Sequence, residues 1–244
     1  MSINHSQNGP HAPFFIGGKL CRTILLLEGE SPRAIAPCKP DALALWDANL
    51  VEQLIPRTQS DQSALPFLTG ISATLDHDAF AAELQKLMAL KPDGLILSGA
   101  NKPADCQRLD AMLRAEEATA GMMDGQTVFV LMLGDETAGF ANTVEMAHSS
   151  KRLIAIGQDS QAITTAVGAK SLQAAAPLLQ TTRSAIQLAA ASARITCFDV
   201  LSGDPQEVAT QSDDLIKSGF GAIMCRDPAA VTIINAAFDT VSSL

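Results

Sequence analysis

The sequence predicts a single α/β domain folded as a (β/α)8 TIM barrel. Three observations carry the prediction. Eight short apolar runs recur along the 244 residues, amphipathic stretches separate most of them, and the runs are near-continuous rather than alternating. Continuous apolar strands are what a parallel sheet covered on both faces requires. With 47 % apolar residues the chain can bury a sizeable core, and its length suits one domain.

The first run is Thr23 to Leu27, and Ser31-Pro-Arg then opens a short helical stretch. Asp41 to Trp46 reads as the second strand. The polar stretch from Asn49 to Ser63 makes a weak crossover to a third strand at Ala64 to Thr69. Asp78 to Leu90 is a helix with an acidic start, followed by a strand at Gly94 to Leu97. A helix over Lys102 to Ala118 leads to the fifth strand, Thr127 to Leu133. A short helix near Ala138 to Ala147 precedes the sixth, Arg152 to Ile156. Ser160 to Val167 is a helical turn or two, and Thr181 to Ala193 is a longer helix. Ile195 to Phe198 is the seventh strand, Pro205 to Lys217 a helix and Ala222 to Cys225 the eighth strand. Pro228 to Val241 closes the chain as a helix, with Asp227 as its N-cap. Residues 1–20 are expected as a flexible arm and residues 21–244 as the barrel.

A doubly wound open sheet is the rival architecture, and it would carry a glycine-rich phosphate loop after its first strand. Here that segment is Glu28-Gly-Glu-Ser, one glycine between two acids, which cradles phosphate poorly. GxGxxG and GxxxxGK(S/T) are both missing from the sequence.

Composition excludes several classes of function. The net charge is −9 and no Lys/Arg cluster exceeds two residues, so neither nucleic acid nor an anionic membrane finds the positive footprint it needs. No apolar run reaches the roughly 18 to 20 residues that span a bilayer. The polar start lacks the pattern of a secretory signal, and a cytoplasmic location is the expectation. Cys21, Cys38, Cys106, Cys197 and Cys225 are odd in number and scattered, as small buried hydrophobes in a reducing compartment would be. The four histidines form neither HxH nor HExxH, which argues against a zinc site, and no GxSxG marks an activated serine.

Three phrases resemble the citrate lyase β-subunit-like proteins of the HpcH/HpaI aldolase superfamily. Residues Arg22 to Arg33, RTILLLEGESPR, resemble the family's opening RSxLFxPGxxPR. Residues Asp135 to Ala147, DETAGFANTVEMA, resemble its central ETxxGxxNxxEIA. Residues Gly219 to Phe238, GFGAIMCRDPAAVTIINAAF, resemble its closing GFxGKxxIHPxQVxxINxAF and are the most specific of the three. The resemblance implies a (β/α)8 barrel that cleaves or forms carbon–carbon bonds beside a carbonyl. The implied substrate is a small carboxylate, a 2-oxo acid or the CoA thioester of a 3-hydroxy acid. It further implies a homo-oligomer, and Mg2+ or Mn2+ as the cation that stabilises the enolate.

On this resemblance Asp135 matches the family's ligand Glu, with Glu136 beside it. Asp159 matches the Asp after strand six if one residue is deleted, and Ser160 matches it without a gap. Asp135, Glu136 and Asp159 are thus the candidate metal ligands, and solvated acids that cap the following helices are the other reading. Arg22, Asp47 and Asp199 are the candidate catalytic residues. Arg22 is either an inherited positioning group or one half of a structural ion pair. Asp199 either faces a ligand or caps its loop. Asp47 is the one acid surviving from the family's DLED phrase, displaced by one place.

The departures are extensive. The RVN phrase falls near Gly70 and Ser72, the PK phrase on Ser98-Gly99, the first proline on Glu28, and the closing lysine and histidine on Ile223 and Asp227. Two functional readings therefore stand. One is a divergent metal-assisted carbon–carbon lyase. The other is a non-catalytic barrel retained for binding a ligand or another subunit.

Overall fold

The computed structural model describes residues 14–27, 38–46 and 65–241. The sequence features read at Ser31, at Asp47 and over Asn49 to Ser63 lie outside these residues.

A closed barrel of eight parallel strands forms the body, in the order of the chain. Its strands are β3 (Thr23–Leu27), β4 (Ala42–Leu45), β5 (Phe67–Ser72), β6 (Gly94–Ser98), β7 (Val128–Leu133), β8 (Leu153–Asp159), β9 (Thr196–Leu201) and β10 (Ala222–Cys225), and β10 closes on β3. The helices between them are α1 (His77–Ala89), α2 (Pro103–Thr119), α3 (Thr143–Ala147), α4 (Ser160–Ala166), α5 (Leu172–Ala193), α6 (Pro205–Ser218) and α7 (Pro228–Val241). A 3-10 helix over Thr137–Asn142 precedes α3. The predicted barrel is therefore the fold.

Ahead of the barrel, in the segment expected as a flexible arm, β1 (Phe14–Ile16) and β2 (Lys19–Cys21) pair as an antiparallel hairpin. Gly17 and Gly18 form its two-residue turn with φ of 57° and 79°, the positive values that such a turn needs at both central positions. Phe14, Ile16 and Cys21 are fully buried among the residues inside the barrel, so the hairpin plugs the N-terminal end of the strands.

Strand alternation sorts the core into two shells. Ile24, Leu26, Ala44, Met132, Val200 and Met224 fill the barrel, while Leu25, Leu43, Leu97, Phe129, Leu131 and Cys197 face the helices. Inside, large side chains lie against glycines. A Cβ on Gly157 would come within 2.3 Å of the Phe198 carbonyl oxygen and 2.5 Å of its ring, and one on Gly70 within 2.6 Å of the Trp46 indole. Helix starts follow the local chemistry. Asp76, Asp159, Ser171 and Asp204 accept backbone N–H groups as N-caps, and Pro103 and Pro205 occupy first-turn positions.

The differences from the sequence reading are local. β5 ends at Ser72 rather than Thr69, and β8 continues to Asp159 rather than stopping at Ile156. α5 begins at Leu172, capped by Ser171, and runs through Pro177. Polar residues hide the ends of β8 and β9 because they sit on a wall that is buried on both faces.

Candidate functional site

The C-terminal ends of barrel strands are where βα loops can gather chemistry. On β8 the alternation points Gly157 and Asp159 inward and Gln158 outward. No loop follows, because Asp159 is both the last strand residue and the N-cap of α4. Its Oδ1 accepts the backbone N–H groups of Gln161 and Ala162 at 3.0 and 3.1 Å. The cap fixes the carboxylate at the mouth, with its side chain only 5 % exposed.

Arg226 faces it from just beyond β10, on the inward side with Ala222 and Met224. Its Nη2 donates to Asp159 Oδ2 at 2.5 Å and its Nη1 to Oδ1 at 3.4 Å, a two-pronged charge-assisted contact. The guanidinium side chain is 30 % exposed, so the pair meets solvent at the mouth. Between them lies β9, whose Val200 is in register with both Asp159 and Met224. The next inward position is Ser202, and its hydroxyl is buried with no hydrogen-bond partner among the described residues. Trp46 packs over Gly70 on the far side of the mouth, and Ser72 and Ser98 end the neighbouring strands β5 and β6.

A second charged cluster lies behind the same strand ends, on the helix side of the wall. Asp199 is fully buried on β9 and faces α5, where Arg183 Nε donates to its Oδ2 at 2.6 Å. Ser160 Oγ donates to the same carboxylate at 2.9 Å and Gln158 Nε2 at 3.2 Å. Burial pushes the Asp199 carboxyl up from its ordinary range, while Arg183 and Ser160 act against that shift. Gln158 and Ser160 flank Asp159 in sequence, so this cluster grips the strand on either side of the mouth carboxylate.

The structure thus places five of the six residues singled out by sequence, in different surroundings. Asp159 is at the mouth and Asp199 is behind it. Asp135 and Glu136 are exposed in the segment after β7. Gly134 brings that segment against the end of β8, for a Cβ there would lie 2.9 Å from the Asp159 carbonyl oxygen. Arg22 sits at the opposite, N-terminal end of the barrel. It donates to Asp239 at 3.3 Å, lies near Asp41 and stacks 5.6 Å from the Phe238 ring centroid. Asp47 lies outside the described residues.

A divalent cation does not suit this arrangement of Asp159. Three N–H contacts converge on Oδ1 and one, from Arg226, on Oδ2, so a cation on this carboxylate would have to share it with the guanidinium. Among the described residues no group of three or more His, Cys, Asp or Glu side chains is arranged to hold a metal ion.

Sequence reasoning missed Arg226 and Arg183, although each left a signal. Arg226 directly follows a barrel strand, where side chains turn to the mouth. Arg183 falls one helical turn from the buried Leu179, a place where a charge demands a buried partner.

A cavity of about 1290 Å3 lies at the other end, lined in part by Gly17, Lys91, Asp93, Val128, Arg152 and Ile154. These residues belong to the hairpin and the N-terminal ends of the strands. That face carries the stability of such barrels rather than their chemistry, so cavity size does not mark the site here.

No family model matches the chain, and no curated protein matches it in sequence. Solved structures do match its fold. RipC from Yersinia pestis is 19% identical, with 89% of this chain and 94% of that chain covered and a TM-score of 0.67. A citrate lyase beta subunit from M. tuberculosis, complexed with oxaloacetate and magnesium, is 17% identical, with 97% and 99% covered and a TM-score of 0.66. An HpcH/HpaI aldolase/citrate lyase family protein from Burkholderia cenocepacia is 12% identical, with 91% and 94% covered and a TM-score of 0.68. At these identities the likeness is one of fold.

Proposed function

We propose that the chain is a divergent barrel of the HpcH/HpaI aldolase and citrate lyase superfamily. It takes a small carboxylate at the C-terminal mouth and acts as a carbon–carbon lyase beside a carbonyl. The observation that supports this reading is Arg226, a guanidinium fixed by Asp159 at the end of the barrel strands where the fold gathers chemistry. An arginine suits this task because its planar fork matches a carboxylate. The implied substrates are a 2-oxo acid or the CoA thioester of a 3-hydroxy acid. The M. tuberculosis relatives, bound to oxaloacetate, acetoacetate or pyruvate, supply the first compounds to try. In those structures the acids accompany magnesium. Here Arg226 contacts both Asp159 oxygens, so metal assistance through Asp135, Glu136 and Asp159 would have the guanidinium share or leave that carboxylate.

One observation favours the second reading, a barrel that binds without catalysing. Cleavage needs a base for the hydroxyl proton, and Asp159, the carboxylate inside the described mouth, is engaged by Arg226. Glu28, Glu30 and Asp47 follow the first two barrel strands in sequence and lie outside the described residues.

The test is a panel of oxaloacetate, 4-hydroxy-2-oxo acids and 3-hydroxyacyl-CoA thioesters, incubated with and without Mg2+ and Mn2+ and followed by proton NMR. Appearance of cleavage products that is lost in Arg226→Gln is expected. Saturable binding without products would select the second reading, and no binding of any compound would reject the small-carboxylate site in both.

A further inference from the structure

We propose that the outer face of α5 is a dimerisation surface, on which a second copy of this chain lays its own α5 antiparallel about a two-fold axis. The inference does not depend on what the C-terminal mouth binds.

The face has the spacing of a helix–helix seam. Ala174, Pro177, Thr181, Ser184, Leu188 and Ala191 recur every three and four residues along α5, and all six are exposed. That repeat keeps one stripe of side chains turned towards a partner helix. It lies opposite Leu179, Thr182 and Ile186, which α5 buries against the barrel. Leu188 is 70 % exposed, the most of any large hydrophobic side chain among the described residues. The two hydroxyls in the stripe do not need water. Thr181 Oγ1 donates to the Pro177 carbonyl and Ser184 Oγ to the Gln180 carbonyl, both at 3.0 Å. Their donors are satisfied within the helix, so they can enter a dry contact.

Charge and symmetry make the occupant a second copy. The chain carries a net charge of −9, so most of its surface repels its own kind. From Ser160 to Ala193 it has no Asp or Glu, and its two cations are Lys170 and Arg183, the latter committed to Asp199. Acids resume on the neighbouring α6 with Glu207, Asp213 and Asp214. Charged flanks beside such a seam select an unlike partner. Here the flanks are Gln173, Gln180 and Gln187 on one side and Leu178, Ala185 and Ser192 on the other. An isologous contact pairs each position with its mirror along the helix. An axis between Thr181 and Ser184 sets Thr181 against Ser184 of the second copy, Pro177 against Leu188, and Ala174 against Ala191. The one large side chain, Leu188, thus never meets itself. The stripe spans about 26 Å and is one helix wide. That is well short of the roughly 800 Å2 per partner of a stable complex, so the dimer is a micromolar one.

Sedimentation velocity of the full chain, from micromolar to submillimolar concentration, tests this. A reversible dimer is expected, tightening as salt screens the repulsion between two negative copies. Leu188→Glu and Ser184→Glu should each weaken it about a hundredfold, because a substitution enters a two-fold interface twice. Both sites are exposed, so the thermal melt of the monomer should not move. If that of Leu188→Glu does, Ser184→Glu carries the test. Ala174→Cys mixed with Ala191→Cys should cross-link through a short bismaleimide, and neither variant with itself, since like positions stand about 26 Å apart. The wild type, with its buried thiols, is the blank. A dimer equally tight in both Glu variants, or cross-linking of Ala174→Cys with itself, would overturn the inference. A monomer at every concentration would overturn it too and leave the face to a helix of another protein.

Discussion

Asp159 and Asp199 sit on adjacent strands yet face opposite sides of the barrel wall, each held by its own arginine. Asp159 points into the mouth towards Arg226, and Asp199 points behind it towards Arg183. The two pairs differ in burial. Asp199 is fully buried with Arg183 16 % exposed, whereas Arg226 is 30 % exposed. Removing one partner of a buried pair strands the other charge, while a pair at the solvent boundary is screened. Arg183→Met should therefore cost about 3–5 kcal/mol, and Arg226→Met about 1–2 kcal/mol. Urea denaturation of both variants checks the order. Equal costs would show that the Asp199 cluster does not brace β9 against α5.

Asp159 has two jobs that substitution can separate. It caps α4 through Oδ1 and anchors Arg226 through both oxygens. Asp159→Asn keeps an oxygen for the cap and loses the charge, whereas Asp159→Ala loses both. The alanine variant should be less stable than the asparagine variant by about 1 kcal/mol, the worth of an N-cap. Both should weaken mouth binding alike, because the Asp159 charge that orients Arg226 is lost in each. Urea denaturation with pyruvate titration reads the two effects separately.

Arg152 holds the bottom of the barrel together. It donates to Glu117 at 2.7 and 2.8 Å, to Asp110 at 2.8 Å and to Asp124 at 2.5 Å. Burial alone would raise the Glu117 carboxyl. Hydrogen bonds from Arg152 and from the Thr127 and Gly125 backbone outweigh it and hold the group below its ordinary 4.5. A depressed folded value contributes stability that is present above the unfolded value and lost as pH falls through the folded one. In the wild type this loss belongs to the region below about pH 4.5. Arg152→Met should cost about 3–5 kcal/mol at neutral pH. It should also move the acid limb of the stability curve upward, because burial then acts on Glu117 against fewer donors. Thermal melts between pH 3 and 7 test both; an unchanged acid limb would show that Glu117 does not sense Arg152.

The architecture was legible in the sequence because strands buried on both faces write themselves as unbroken apolar runs. TILLL, GLIL and VFVLML need no context to be read. The mouth was less legible. Asp159 could be found from its place after the sixth strand, but which face of the wall Asp199 occupies depends on a register that starts at Thr196 rather than on its neighbours. Arg226 and Arg183 were hidden for a related reason. A lone arginine looks solvated in a sequence, and only the closing of β10 beside β9, or the docking of α5, shows what it meets. The hairpin over Phe14–Cys21 escaped notice because its two strands have three residues each and bury their apolar side chains only against the barrel floor.

The cysteines give a prediction on the alkaline side. All five are buried thiols, as the scattered spacing suggested. Burial pushes the Cys21, Cys197 and Cys225 thiols up to about 12 and Cys106 up to about 11, from an ordinary 9.0. Thiols ionise more easily in the unfolded chain. The native state therefore holds its advantage below pH 9 and loses it as pH rises towards the folded values. By pH 10 each of these four thiols should subtract roughly 1.4 kcal/mol from stability, one pH unit beyond its unfolded value. Replacing Cys197 and Cys225 together by alanine should flatten the fall between pH 8 and 10 while lowering stability at pH 7 through lost packing. Ellman's reagent supplies the companion measurement. At pH 8 the native protein should react slowly at all five thiols, and the urea-unfolded chain at once. A thiol that reacts quickly in the native state would show that it is not buried, and the alkaline slope would be correspondingly shallower.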